Sequence, residues 1–131
     1  MARKPQDVTD AELAVLQVLW QRGSASIREI TDELYPEGTT AQYATVQKLL
    51  ERLEAKACAA RDRDSVPHRF AATVDREHLI GLRLQDLADK LCEGSVAPLL
   101  TNLVNGGRLS RSDRQALRRL VDELDKERGG R

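Results

Sequence analysis

The chain has 131 residues, of which 40% are hydrophobic, 3% are aromatic and 32% are charged, with 21 basic residues balancing 21 acidic ones. This length suits one ordinary domain or two very small ones, and the scarcity of aromatic residues predicts a core of Leu, Val, Ile and Ala. The neutral balance excludes a non-specific binder of polyanions, so any nucleic-acid role must rest on local charge.

Three short helices are predicted in the first 57 residues. Each begins with a capping box, in which a Ser or Thr hydroxyl and the side chain three residues later bond each other's backbone N–H; the boxes start at Thr9, Ser26 and Thr39. Behind each box, apolar residues recur at helical spacing until Gly23, Pro36–Gly38 and Ala57, respectively. Three capped helices with tight connections are typical of a helix-turn-helix unit, whose last helix is presented to DNA.

The third helix begins with a segment, Thr39 to Gln47, that carries no charged residue, although about a third of the chain is charged. Short side chains that both donate and accept hydrogen bonds suit the base edges of the DNA major groove. A helix start that is simply polar, or buried against a neighbour, explains the same pattern. The segment alone does not decide between these interpretations.

A β-hairpin is predicted between Cys58 and Asp75, where the leucine spacing gives way to alternation around a turn at Asp64–Pro67. A hairpin that follows a helix-turn-helix is a wing. It gathers Arg61, Arg63, His68 and Arg69, which suit DNA phosphates or the minor groove. Residues 39–70 hold six basic and four acidic residues, whereas residues 1–38 hold four basic and seven acidic ones. A solvated hairpin with chance arginines is the alternative.

Three further aliphatic helices are predicted in the tail, with breaks at Glu93-Gly94 and Asn105–Gly107, and with Asp75 and Ser110 as caps. A core of roughly 55 residues is marginal by itself. An isologous dimer would share the apolar stripes and place two recognition helices on two half-sites of DNA; a self-contained bundle is the alternative. The expected dimerisation residues are Ile80, Leu84, Leu87, Leu91, Leu99, Leu100, Leu103, Leu117, Leu120, Val121 and Leu124.

The stretches TDAELAVLQVLWQRGSASIREITDEL and YATVQKLLERLEAKA, followed by a wing ending in HRFAA, resemble the penicillinase-repressor (BlaI/MecI-like) family of winged-helix transcriptional regulators. The most specific marks are Leu19-Trp20, the triplet Thr45-Val46-Gln47, and Arg52-Leu53 before a basic turn. The resemblance extends over nearly the whole chain. One departure is Ala44, where family members often carry Lys or Thr, and it bears on the operator sequence rather than on DNA binding itself.

These observations together predict a mainly α fold with a small β-hairpin wing: a winged helix-turn-helix domain over residues 1–75 and a three-helix dimerisation domain over residues 76–131. The predicted function is transcriptional repression by a homodimer on a palindromic operator. A winged-helix protein-interaction module that never touches DNA is the alternative. The predicted DNA contacts are Thr39, Thr40, Gln42, Tyr43, Thr45, Gln47, Lys48, Arg52, Arg61, Arg63 and Arg69.

The resemblance also implies how repression ends. Family members are inactivated by proteolysis of the tail, at an Asn followed by a large apolar residue. The stretch LLTNLVNGG aligns Asn102-Leu103 with that bond, with Leu where the family usually has Phe. A membrane zinc-protease sensor encoded nearby is a candidate partner on the same ground.

Other chemistry has little support in the sequence. Cys58, His68, His78 and Cys92 are metal-ligand types, but their spacings match no close ligand pair, so no metal or cofactor is expected. The chain shows no phosphate loop, nucleophile elbow or convergent acid–base set, so we expect no enzymatic activity. No apolar run approaches the roughly 20 residues that span a bilayer, and the first ten residues lack a secretory signal. We therefore expect a soluble, cytoplasmic protein.

Overall fold

The computed structural model describes residues 5–129 and contains, within them, six α-helices and one three-stranded antiparallel sheet, preceded by a 3-10 turn at Pro5–Asp7. The helices are α1 (Asp10–Arg22), α2 (Ile27–Leu34), α3 (Thr40–Ala55), α4 (Arg76–Leu91), α5 (Ala97–Asn105) and α6 (Arg111–Gly129). The strands are β1 (Ala25–Ser26), β2 (Ala59–Asp62) and β3 (Arg69–Ala72). The chain divides into two compact units between Asp86 and Leu87.

The first three helices begin as the capping boxes predict. In each box the hydroxyl of Thr9, Ser26 or Thr39 accepts the N–H three residues later, and that residue's side chain accepts the cap N–H in return. Because each box satisfies two N–H groups that the helix itself leaves free, these helix starts are determined locally.

The connection between α2 and α3 depends on Gly38. A Cβ at this position would lie 3.0 Å from both the Tyr35 carbonyl oxygen and Thr31 Cγ2. Since real Cβ atoms rarely approach other atoms so closely, only glycine fits without a shift. This close approach brings α2 and α3 together in the short connection of a helix-turn-helix.

The core of the first unit is aliphatic, as the composition predicts. Helix α1 packs against α2, α3, β1 and β3, and α3 packs also against α2 and β2. Among the described residues, Phe70 is the one aromatic side chain in the fully buried set, which otherwise includes Leu16, Leu19, Ile30 and Leu50. Two charged residues, Glu12 and Lys56, are buried with them.

The sheet confirms the predicted wing and adds a strand. Strands β2 and β3 form the hairpin, with Ala59 opposite Ala72 and Asp62 opposite Arg69. Strand β1 pairs with the other side of β3, with Ala25 opposite Phe70. Two residues are too few to show a period-2 pattern, so β1 could not be predicted from the sequence.

The first half of α4 belongs with the winged unit. Asp75 caps the helix as predicted, because its Oδ1 accepts the His78 N–H at 2.7 Å. Leu79 is buried in the core of the first unit, and the Arg83 guanidinium donates to the Val8 carbonyl oxygen. The first compact unit therefore extends into α4, where Leu79 faces the winged core while Ile80 and Leu84 are exposed. The functional boundary at residue 75 stays a prediction.

The second unit contains the end of α4 with α5 and α6. Ser110 and Asp113 bond each other's backbone N–H at 3.0 Å and open α6 as predicted. Helix α5 has no buried residue. Within the described chain, no helix is long and apolar enough to cross a membrane. The exposed large apolar side chains from Ile80 onward are Ile80, Leu84, Leu87, Leu91, Val96, Leu100, Leu103, Val104, Leu117, Leu120, Val121 and Leu124.

Candidate DNA interface

Helix α3 has two distinct faces. Val46, Leu49, Leu50 and Leu53 are buried against the core of the first unit. The opposite face is open to solvent, and its exposed residues are Thr40, Ala41, Ala44, Thr45, Gln47, Lys48, Glu51 and Arg52. The uncharged polar segment predicted from the sequence therefore lies on the surface, which removes the interpretation that it is buried against a neighbour.

The hydrogen bonds on this face leave free the groups that base edges require. Thr45 Oγ1 donates to the Ala41 carbonyl oxygen at 3.0 Å, so its remaining lone pairs can still accept. Gln42 Oε1 accepts the Thr39 N–H at 2.8 Å in the capping box, which leaves the Gln42 amide NH₂ as a donor. Gln47 is exposed and keeps both its donor and its acceptor.

The N-terminus of α3 adjoins a basic side chain that sequence reasoning missed. The Arg28 guanidinium lies over the Tyr43 ring, 5.4 Å from its centroid. Arg28, Gly38, Thr39, Thr40 and Tyr43 line a shallow pocket of about 200 Å³. The first turn of a helix disfavours cations, because its free N–H groups carry partial positive charge. Arg28 occupies such an unfavourable position in the first turn of α2, and this could have marked it in the sequence as a residue with a functional role.

The wing arginines differ in how far the fold already engages them. Arg69 donates to the Ser24 hydroxyl, to the Ser24 carbonyl oxygen and, at 2.7 Å, to Glu29 Oε1. Arg61 pairs with Glu54 at 3.4 Å and lies over the Phe70 ring. Arg63 is exposed and forms no ion pair with any described residue. Of the three predicted phosphate contacts, Arg63 is thus the one whose charge is available to a ligand.

The pairing of Glu29 shows why Arg69 is committed to the fold. Glu29 caps α2 through Ser26, and it also pairs with Arg22 at 3.3 Å. The Ser26 N–H, the Arg69 charge and the Ser26 hydroxyl outweigh the desolvation that opposes them, and they hold the pKa of Glu29 below its ordinary value. The carboxylate therefore joins the wing strand β3 to the start of α2.

The four candidate metal ligands are not brought together. Cys58 is buried, whereas His68 and His78 are exposed and Cys92 is half-buried. Over residues 5–129, no group of three His, Cys, Asp or Glu side chains is placed to hold a metal ion. Burial raises the pKa of the Cys58 thiol, which keeps it in the less reactive protonated form.

A buried three-helix core, a hairpin wing and an exposed polar third helix define a winged helix-turn-helix protein of the DNA-binding class. The chain belongs to the penicillinase repressor family, whose model matches residues 8–123. This finding confirms the resemblance carried by the Thr45-Val46-Gln47 triplet and the capped helices.

Named relatives agree with this assignment. The transcriptional regulator BlaI of Mycobacterium tuberculosis is 33% identical over 93% of this chain and 88% of that protein. The penicillinase repressor of Bacillus licheniformis is 24% identical over 94% of each chain. The methicillin resistance regulatory protein MecI of Staphylococcus aureus is 22% identical over 94% of this chain and 99% of that protein. These three relatives are named as transcriptional or resistance regulators or as a repressor, and none of them is named as an enzyme.

Proposed function

We propose that the protein is a transcriptional repressor that binds a palindromic operator as a homodimer. One observation carries the proposal: α3 buries an aliphatic face, and the first half of its exposed face, up to Gln47, presents Thr45 and Gln47 without any charged residue. A helix face exposed to water alone usually collects charged residues, whereas Gln and Thr supply the donors, acceptors and methyl group that match adenine and thymine edges.

In the proposed complex, the first half of α3 enters the major groove. Thr45 and Gln47 read base edges, since Gln pairs with adenine and the Thr methyl contacts thymine. Thr39, Thr40 and Gln42 lie at the helix N-terminus, where free N–H groups favour phosphate. Arg28 adds a positive charge beside that end, and Tyr43 supports its guanidinium.

Basic residues further along hold the DNA backbone. Lys48 and Arg52 are exposed one turn apart on α3, and Arg63 is exposed in the wing. Contacts to phosphate fix the register of the protein but carry no sequence information. Arg61 and Arg69 support the wing through their pairing with Glu54 and Glu29, so less of their charge is left for the DNA backbone.

The tail supports the dimer. A single copy leaves a dozen large apolar side chains of α4 to α6 exposed, with Leu91 at 74% and Leu120 at 63% of full exposure. Exposed large apolar side chains in such number mark an interaction surface. A second copy of the same stripes buries them symmetrically and links two winged units. The dimerisation residues proposed from the sequence, other than the half-buried Leu99, all belong to this exposed set.

Repression would end by cleavage of α5 at Asn102-Leu103. Asn102 is exposed, and its Nδ2 donates to the Pro98 carbonyl oxygen at 3.0 Å. Cleavage here detaches Leu103, Val104 and α6 from the shared core, so two half-site contacts lose their linkage and operator affinity falls by orders of magnitude. A membrane zinc-protease sensor encoded nearby is the proposed origin of the signal. Derepression with the chain still full-length by intact mass spectrometry would contradict this step.

The experiment that tests repression is an electrophoretic mobility shift with the DNA upstream of the protein's own coding sequence, against a shuffled duplex of equal length. We expect binding to the upstream DNA at protein concentrations at least roughly a thousandfold below those that shift the shuffled one. Equal binding to both would contradict an operator. The absence of any shift would favour the alternative, a winged helix that binds a partner protein.

A further inference from the structure

The C-terminal end of α3 carries a buried ion pair that DNA cannot reach. Lys56, the residue that caps α3, has a side chain only 8% exposed, and its partner Glu12 on α1 is fully buried. Lys56 Nζ donates to Glu12 Oε1 at 2.5 Å, to Glu12 Oε2 at 2.8 Å and to the Asp7 carbonyl oxygen at 2.9 Å. The Lys56 ammonium thus has three acceptor atoms, two on Glu12 in the first turn of α1 and one on Asp7 just before the helix.

Glu12 is held equally firmly from its own helix. Its Oε1 accepts the Thr9 N–H at 3.1 Å, and its N–H donates to the Thr9 hydroxyl at 3.2 Å. Burial alone would raise the pKa of Glu12, but the hydrogen bonds from Lys56 and Thr9 and the Lys56 charge outweigh it and lower the pKa. The carboxylate is therefore ionised at neutral pH, and the capping box and the ion pair form one connected network.

Stability does not by itself explain this pair. Taking two charges out of water costs free energy that their attraction only offsets, and well-packed apolar residues of similar size are often as stabilising or more so. An apolar pair lacks directional contacts, because dispersion contacts tolerate sliding whereas three hydrogen bonds donated by one nitrogen do not. The network therefore fixes the position of the C-terminal end of α3 relative to α1.

The two ends of α3 are fixed to different degrees. Beyond Lys56 the chain is held again, because Thr73 donates its N–H to the Cys58 carbonyl oxygen and its hydroxyl to the Ala57 carbonyl oxygen. At the N-terminal end, α3 packs on α2 through apolar contacts, and its polar contacts are the exposed Thr39–Gln42 box and the stacking of Arg28 on Tyr43. Apolar packing along α3 therefore sets its place in the core, and the buried polar anchor that fixes its direction lies at the C-terminal end.

We propose that Lys56 is a positioning residue for DNA readout: by bonding Glu12 and Asp7 it fixes the angle at which α3 presents Thr45 and Gln47 to the major groove. It touches no DNA itself. The inference rests on the proposed function. Its signature is a loss of discrimination between operator and other DNA that exceeds any loss of stability, because misaligned base contacts weaken while phosphate contacts persist.

The test compares the wild type with the double variant Glu12→Leu/Lys56→Met, which removes both charges together. We expect the double variant to remain folded, with any fall in its thermal midpoint limited to the lost cap on the Thr9 N–H, because apolar residues often replace a buried ion pair without loss. We also expect its ratio of operator to shuffled-DNA affinity to fall by roughly tenfold or more. Arg22→Met is the matched control, because Arg22 also forms ion pairs at 3.2 and 3.3 Å, but at the surface and away from α3.

A second variant covers the case in which the double variant does not fold. Glu12→Gln keeps the size of the side chain and an oxygen for Lys56 and Thr9, and we expect it to show an intermediate fall in the ratio at a temperature where circular dichroism finds it fully folded. An unchanged ratio in whichever folded variant is measured overturns the proposal. If the wild type itself shows no preference for any DNA, the proposed function fails and this inference fails with it.

Discussion

Ala57 lies in the left-handed region of backbone space, at φ 60°, directly after α3. The helix ends there with two hydrogen bonds, from the Cys58 N–H to the Leu53 carbonyl oxygen and from the Ala57 N–H to the Glu54 carbonyl oxygen. This pattern is the Schellman motif, which usually has glycine at the left-handed position. An alanine there costs about 1–2 kcal/mol, so the contacts around it must hold it in place.

We predict that Ala57→Gly stabilises the protein. The substitution removes the left-handed strain but adds flexibility to the unfolded chain, so the free energy of unfolding should rise by about 0.5–1 kcal/mol. Urea denaturation followed by circular dichroism measures the change. Ala44→Gly is the control, because Ala44 lies inside α3 and the same substitution there should lower stability by about 1 kcal/mol. Equal losses in both variants would show that Ala57 carries no strain.

At the scale of elements, the starts and ends of the helices could be predicted, because they are determined by residues close by in the sequence. The capping boxes at Thr9, Ser26 and Thr39, together with apolar spacing, predicted α1, α2 and α3, and the structure confirms them. The breaks at Gly94 and Gly107 likewise separate the tail helices, and both glycines have positive φ. A helix start or end depends on residues within about one turn, so the chain itself displays it.

Features that depend on distant residues were missed for a shared reason. The pairing of Glu12 with Lys56 joins positions 44 residues apart, and Arg69 reaches Ser24 across 45 residues. Sequence spacing alone assigns a charged residue to the solvent-exposed surface, because its neighbours in the chain do not show that the fold buries it. For the same reason, the sequence did not show the internal partners of Arg61 and Arg69, whose DNA contacts stay a prediction, or the place of Leu79 in the winged core.

The wing provides a prediction at this scale. Arg63→Ala should weaken operator binding evenly across sequences and lower the slope of log affinity against log salt by about one, because one phosphate contact is lost. Arg69→Ala should instead lower the free energy of unfolding by about 1 kcal/mol, since its bonds to Ser24 and Glu29 are partly exposed. Salt titrations and urea denaturation of both variants separate these roles. The same changes in salt dependence and in the free energy of unfolding for both variants would contradict a DNA-contact role for Arg63 and a structural role for Arg69.

At the scale of the whole molecule, the protein joins a winged unit that is complete by itself to a tail that is not. The winged core is buried without help from another chain, whereas α5 buries none of its residues. Such an asymmetry is expected when one part binds DNA and the other part binds a second copy. In the proposed dimer, two linked half-sites would raise operator affinity well beyond what one winged unit achieves.

We predict that Leu120→Asp or Leu100→Asp abolishes this linkage. Either charge would lie unpaired in the shared apolar core, so the protein should become monomeric and bind a single half-site weakly. Analytical ultracentrifugation measures the assembly. Arg119→Asp is the matched control, because it places the same residue one position away on the polar side of α6 and should leave the dimer intact. A wild type already monomeric at micromolar concentration would remove the basis of the prediction.

The claim that the exposed face of α3 reads DNA sequence is tested most directly by comparing Gln47→Ala with Gln21→Ala on a mapped operator. Both glutamines are exposed on helices, but Gln21 lies on α1. Gln47→Ala should weaken operator binding by about 1–3 kcal/mol and relax the preference at one base pair in each half-site, and Thr45→Ala should act similarly at another. Gln21→Ala should change neither quantity. Operator affinity and base preference that stay at wild-type values in the Gln47 and Thr45 variants would contradict the account.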